Sequence, residues 1–270
     1  MKLPKVSVIM GIYNCASTLE EAMDSLLNQT YQSFEIILCD DGSEDRTFKV
    51  AKKYKDLHPK KVFLLKNDVN MGLNYTLNKC LKEAKGDYIA RMDGDDVSLP
   101  TRFEEQVKFL NENLDFDLVS TAMITFDESG DFGILERKVV PVANDIIKAT
   151  PFNHASSMIR REAFLEVGGY SVNKKLLRVE DWHLWIKMYA KGFRGYNLKE
   201  PLYKMRDDRN ATLRRNWQNR RNEVYVRVFA FKTLKPSIIY LPFVFRPILV
   251  GLLPLKLYTY LHKKKLVNVK

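Results

Sequence analysis

Tyr88-Ile89-Ala90-Arg91-Met92-Asp93-Gly94-Asp95-Asp96 runs an apolar stretch of strand type into three carboxylates separated by one glycine. Ser98 and Pro100 follow closely as turn formers. Three acids at one strand end repel and raise each other's pKa unless a divalent cation or hydrogen-bond donors sit among them. A solvated acidic turn is the competing reading, because Asp and Gly are what any turn wants. The choice between the two rests on the remainder of the chain.

Upstream, three further apolar runs precede this one. Val6 to Met10 reads as a strand buried on both faces, as in a parallel sheet. After Gly11-Ile12-Tyr13-Asn14, Ser17 and Glu20 form a capping-box pattern ahead of a helical face of Leu19, Ala22, Met23, Leu26 and Leu27. Phe34 to Asp40 is the second strand, closed by Asp41-Gly42-Ser43 and followed by a helix with Val50, Ala51, Tyr54 and Leu57. Val62 to Leu65 is the third, and Asn70-Met71-Gly72 turns into a helix carrying Leu73, Leu77, Cys80, Leu81 and Ala84, stopped at Gly86. Strands alternating with helices make an α/β unit whose right-handed crossovers bring every strand C-terminus to one edge. Open α/β sheets bind ligands on that edge, which here gathers Tyr13, Asn14, Asp40, Asp41, Asn70 and the Asp93 to Asp96 group.

Downstream the pattern is less regular. Arg102 to Leu110 reads as helix, Leu118 to Phe126 as strand, and Gly130 and Gly133 as punctuation of a hairpin. Asn153-His154-Ala155 leads into another strand, and Arg161 to Val167 is a short helix ended by Gly168-Gly169. Glu180-Asp181-Trp182-His183-Leu184-Trp185 opens a helix with Leu184, Trp185, Met188 and Tyr189 facing inward. Two acids in its first turn suit a helix dipole, which is sufficient structural reason for them.

The chain of 270 residues is 46% hydrophobic, enough for a substantial core. Cys15, Cys39 and Cys80 are odd in number and lack metal-type spacing, so they read as reduced and packed, in a cytoplasmic setting. The first apolar run is too short for a secretory signal. The net charge of +11 is unevenly spread: residues 204–270 hold 16 Lys or Arg against 3 acids, leaving residues 1–203 at −2. A nearly neutral body with a basic, apolar tail points to docking rather than to a nucleic-acid channel, and a tail that mixes Arg with long aliphatic runs, rather than exposed stacking aromatics, is the expectation. Ile238 to Phe245 and Ile248 to Leu255 are apolar, but Arg246, Pro242, Pro247 and Pro254 interrupt them below the ~20 residues of a spanning helix. An interfacial segment with Lys263-Lys264-Lys265 and Arg214, Arg215, Arg220, Arg221 and Arg227 on anionic headgroups is the expectation; a C-terminal subdomain packed on the core is the alternative.

Four segments now stand in one order: Val6-Ser7-Val8-Ile9-Met10 with Tyr13-Asn14, then Asp40-Asp41-Gly42-Ser43, then Asp93-Gly94-Asp95-Asp96, then Glu180-Asp181 with Trp185. Together they resemble the inverting nucleotide-sugar glycosyltransferases of family 2, over roughly residues 4 to 205. Within that family the chain looks most like bacterial enzymes of exopolysaccharide, capsule and O-antigen assembly. The resemblance implies an α/β fold, a single Rossmann-like A-type nucleotide-diphospho-sugar transferase domain with a mixed central sheet at residues 1–205. Residues 1–97 would be its nucleotide-sugar half, 98–205 its acceptor half, and 206–270 a helical, basic and apolar membrane-associating tail.

Carried over residue by residue, the resemblance gives Tyr13 the stacking face for the base and Asp41 an acceptor for a uracil or thymine imide. Asp93 and Asp95 match the Asp-X-Asp motif for Mn²⁺ or Mg²⁺, with Asp95 the direct ligand and Asp93 nearer ribose and metal. Asp181 matches the catalytic base. The extra Asp96 leaves the second ligand open, and Ala155 stands where the resemblance leads one to expect proline after His154. Arg91 either pairs a donor phosphate or balances the adjacent carboxylates. His154 either meets acceptor or diphosphate or is structural at a strand entrance. Glu180 and Trp182 are acceptor-side candidates, while Trp185 is expected in the core.

The implied reaction moves a hexose or N-acetylhexosamine from a UDP sugar, with dTDP-rhamnose as an alternative donor, to a lipid diphosphate-linked saccharide at the inner face of the cell membrane. Two rivals are a sugar-1-phosphate nucleotidyltransferase and a non-catalytic nucleotide-sugar binder. The Gly11 to Ala16 loop, with one glycine and no basic residue, speaks against the first, and the full carboxylate set against the second.

Overall fold

The computed structural model describes residues 5–207 and 216–252. Four parallel strands come first, β1 (Val6–Ile12), β2 (Phe34–Asp40), β3 (Val62–Lys66) and β4 (Tyr88–Arg91), side by side in the order β3-β2-β1-β4. They are joined by α1 (Leu19–Leu27), α2 (Thr47–Leu57) and α3 (Leu73–Glu83). All seven residues of β2 are buried, Glu35 among them with Lys5 and Ser7 as partners: α1 and α2 cover one face of the sheet and α3 the other. Since the four strands point the same way, their C-terminal ends open on one edge, with Ile12 beside Asp40 and Asp40 beside Lys66.

The second half comprises β5 (Val97–Ser98), α4 (Arg102–Glu112), β6 (Leu118–Asp127), β7 (Gly130–Leu135), α5 (Ala143–Lys148), β8 (Met158–Arg160), α6 (Arg161–Glu166), α7 (Glu180–Ala190) and β9 (Gly195–Arg206). β8 reverses direction beside β4, and the sheet continues β8-β6-β9-β5 with β7 hairpinned onto β6, making it mixed as expected. β9 carries Pro201 across a register irregularity opposite Ala122, where the ladder tolerates a residue without an N–H. Its far end returns to the acidic loop, where β5 pairs with Tyr203 and Lys204. All three cysteines are free.

Two local expectations are corrected. Ser17 does not cap α1: the helix begins at Leu19, and no side chain caps it. The neighbouring Thr18 hydroxyl instead donates to the carbonyls of Cys15 and Gly94, tying the helix entrance to the acidic loop. Gly133 is not a turn residue but lies within β7 opposite Thr125; the reversal is made at Gly130, whose φ of +108° favours glycine.

α8 (Trp217–Leu234) and α9 (Leu241–Gly251) end the described chain, separated by a 3-10 turn at Ile238–Tyr240. α8 buries Asn222, Val226, Arg227 and Ala230 against α5 and α7, so this part of the tail packs on the core. The Arg227 guanidinium donates to the carbonyls of Ile147, Lys148 and Phe243 and lies over the Trp182 ring. Arg214, Arg215, Pro254, Leu255 and Lys263 to Lys265 lie outside the described residues. Among the described residues no helix is long and apolar enough to cross a membrane.

Candidate active site

The sheet edge brings together most of the residues singled out in the sequence. At the end of β4, carboxylate oxygens of Asp93, Asp95 and Asp96 all lie within 4.8 Å of one another. Asp96 is buried, and both its oxygens are engaged: the Tyr203 hydroxyl donates to one at 2.9 Å and the Arg206 N–H to the other at 2.8 Å. Burial and the charges of Asp93 and Asp95 push its carboxyl well above the usual range. Asp95, the most exposed of the three, is also raised, by desolvation and by Asp93, and among the described residues its side chain bonds no other residue. Asp93 forms an ion pair with Arg91.

This donor set fits a hard divalent cation. All three groups offer oxygen, and a dication among them removes the repulsion that drives two of them toward the neutral form. Among the described residues Asp95 is the least engaged of the three, whereas Asp93 meets Arg91 and Asp96 meets Tyr203 and Arg206.

Arg91 is the electrostatic centre of the site. It is buried in β4, and its charge acts on Asp93, Asp95, His154, Tyr170, Glu180 and Asp181 together. Its carbonyl accepts a hydrogen bond from Arg102, a wholly buried guanidinium that also meets Gln106 and lies over the Tyr203 ring. Arg91 therefore balances the carboxylates, one of the two roles open to it from the sequence.

Asp181 and Glu180 stand in the first turn of α7, where the Arg91 charge also acts on them. Thr150 donates to Asp181 Oδ2 at 3.1 Å. Burial raises the Asp181 carboxyl, while the Trp182 N–H, Thr150, Arg137 and Arg91 favour its charged form. Burial and the Asp181 charge push Glu180 up to about 7. His154 shares a 2.7 Å hydrogen bond between Nε2 and the Tyr170 hydroxyl and packs edge-on against Trp185. Burial and Arg91 hold it well below its ordinary pKa, so it is a neutral imidazole.

The other loops close the edge. Tyr13, 45% exposed at the end of β1, presents an open aromatic face. Asp41 is buried and braces the turn before α3: Asn67 Nδ2 and the N–H groups of Met71 and Gly72 all donate to its carboxylate. Gly42 has φ +74°, and a Cβ there would meet backbone atoms of Val69 and Asn70 at 2.7 and 2.9 Å. Gly42→Ala is therefore expected to cost about 1–3 kcal/mol of stability and to weaken nucleotide binding, checked by thermal melts and nucleotide titration.

Trp182 is the sequence candidate that the fold places elsewhere. It is buried between α5, α7 and α8, with its indole N–H donated to the Ile146 carbonyl at 2.7 Å, and so walls no acceptor site. Trp185 is buried as expected. Sequence reading missed Tyr170, Thr150, Arg137, Tyr203 and Arg206. Only Tyr170 carries a local signal, the Gly168-Gly169 pair before it, both at positive φ.

Residues 7–181 match the family model described as Glycosyl transferase family 2. EpsE of Bacillus subtilis (strain 168), named as a glycosyltransferase, is 41% identical over 99% of this chain and 96% of its own. An Escherichia coli UDP-Gal:alpha-D-GlcNAc-diphosphoundecaprenol beta-1,3-galactosyltransferase is 33% identical over 78% of each chain. The crystal structure of Staphylococcus aureus TarS 1–349 in complex with UDP-GlcNAc aligns with a TM-score of 0.69 at 18% identity, over 90% of this chain and 71% of that one, and shares the fold. With residues 7–181 matched by the family model and a 41% identical relative aligned over 99% of this sequence, the chain belongs to glycosyltransferase family 2.

Proposed function

We propose that the chain transfers a hexose or N-acetylhexosamine from a UDP sugar to a lipid diphosphate-linked saccharide in cell-surface polysaccharide synthesis, by metal-assisted single displacement with inversion. One observation carries this reading: the Asp93–Asp95–Asp96 cluster and Asp181 stand on different elements under the charge of one buried Arg91. The printed donor and acceptor of the Escherichia coli relative support the substrate classes.

In this reading Tyr13 stacks on the base, and Asp41 meets its imide while bracing the adjacent turn. Asp93 and Asp95 hold Mn²⁺ or Mg²⁺, which when bound stabilises the negative charge developing on the leaving diphosphate. Arg91 orients the Asp93 carboxylate through their ion pair. Asp181, steadied by Thr150, takes the proton from the acceptor hydroxyl as it attacks the anomeric carbon from the side opposite the diphosphate. No covalent intermediate is needed. Glu180 lies on the acceptor side beside the base, and the His154–Tyr170 pair offers a neutral polar wall.

An acceptor on a polyprenyl carrier puts the reaction at the inner face of the cell membrane, with residues 206–270 holding the catalytic domain there. The test is a panel of nucleotide sugars with a synthetic lipid diphosphate saccharide, followed by nucleotide release and product mass. Transfer from a UDP sugar is expected; transfer confined to dTDP or GDP sugars contradicts the donor assignment. Chelation is expected to reduce the rate at least about 100-fold, with recovery on adding Mn²⁺ or Mg²⁺. A chelator-resistant rate contradicts the metal role.

A further inference from the structure

The outer face of α9 has no task in glycosyl transfer. Leu241, Phe245, Ile248, Leu249 and Leu252 recur at the spacing of one helical face and are all exposed, Leu249 at 64% and Leu252 at 67%. The preceding 3-10 turn adds Ile238 and Ile239, at 75% and 71%. Trp217 joins at the far end: it is exposed, and a Cβ at Gly251 would lie 3.2 Å from its indole. The packed side of α9 is the other one, with Val244 and Pro247 buried. A strip of this length exceeds the singly scattered apolar residues of an ordinary soluble surface.

Charge identifies what covers it. Residues 216–252 contain six Lys or Arg and one acid, Glu223, and Arg221, Lys232, Lys235 and Arg246 are exposed. Two copies meeting through this face would set cation against cation. Anionic headgroups above an acyl layer satisfy both the cations and the apolar strip. α9 has 11 residues, about 16 Å of helix against a hydrocarbon core of about 30 Å, so it fits flat in the interface and not across it.

We propose that the outer face of α9, with Ile238, Ile239 and Trp217, seats the enzyme on an anionic bilayer surface. The proposal rests on the membrane-carried acceptor and names the residues that meet the lipid. The seat is also fixed relative to the active site. Arg227 donates to the Ile147 and Lys148 carbonyls at the end of α5, at 3.0 and 2.9 Å, and to Phe243 in α9 at 3.1 Å. Two residues beyond Lys148, Thr150 holds Asp181. The depth at which α9 rests thus sets the height of the base above the lipid.

The test is co-sedimentation of the full chain with phosphatidylcholine vesicles, with and without phosphatidylglycerol, containing no saccharide-bearing lipid. The parent is expected to bind the anionic vesicles and to remain partly bound in high salt. Phe245→Ser/Leu249→Ser, which changes two exposed side chains, is expected to keep the parent melting temperature and bind at least about tenfold more weakly. Equal binding by the variant overturns the proposal, as does complete release of the parent by salt. A parent dimer that the variant loses, with no vesicle binding by either, assigns the face to self-association and also overturns it. Because no acceptor is present, a wrong acceptor assignment leaves vesicle binding intact, whereas a wrong seat shows here alone.

Discussion

Asp181→Asn is expected to bind nucleotide sugar as the parent does and to lose turnover by about 10³-fold, the size of a general-base contribution. The amide keeps the shape of the side chain and can still meet Thr150, but it cannot take a proton. Donor titration and single-turnover rates separate the two effects, and near-normal turnover removes Asp181 from the mechanism. The same residue sets a pH dependence. Burial holds its carboxyl above the ordinary 3.8, so the charged, active form is lost at higher pH than for a free aspartate as the solution is acidified. The parent kcat/KM should rise with pH through an acid limb above that value. That limb should persist in Glu180→Gln and vanish in Asp181→Asn; its disappearance in the Glu180 variant would reassign it to the carboxyl that stands at about 7.

Asp95→Ala is the second large effect, and its contrast with Asp96→Ala tests the division within the acidic loop. Among the described residues the Asp95 side chain bonds no other, so its removal should leave the metal-free melting temperature unchanged. It should lower kcat/KM by about 10²–10³-fold, the few kcal/mol that a Lewis acid contributes. Asp96 accepts from Tyr203 and Arg206 inside the protein. Asp96→Ala leaves a buried hydroxyl and an N–H unpaired and should cost about 1–3 kcal/mol of stability. An Asp95 variant that melts early with activity intact would reverse the two roles.

The loop's neighbours explain which parts of this arrangement were legible in the sequence. β2 was read to the residue because helices on both faces demand a mostly apolar core, here Ile36 to Cys39, and Asp41-Gly42-Ser43 marks its end. α1 was misplaced at its start because the Thr18 hydroxyl serves a contact with Gly94, far along the chain, and not the helix. β9 was not recognised: Pro201 and the register irregularity break the alternation that marks a strand. With β9 went Tyr203 and Arg206, whose bonds to Asp96 bear on the choice of ligand that the sequence left open. Trp182 was an acceptor-side candidate. What encloses it is α8, a helix with no local signature of its partner. Arg91 was legible as a neighbour of the acids, but its reach to Asp181 and His154 depends on how the sheet continues through β8. Local pattern thus revealed the sheet edge with its acidic loop, and the surroundings of α7 needed tertiary contacts.

The claim that joins these residues is a single displacement, with Asp93 and Asp95 supporting the departing diphosphate and Asp181 taking the proton on the opposite side. The anomeric configuration of the transferred sugar tests it most directly. With an α-linked nucleotide sugar as donor, proton NMR of the purified product should show a β-glycosidic linkage. An α-linked product would contradict the mechanism.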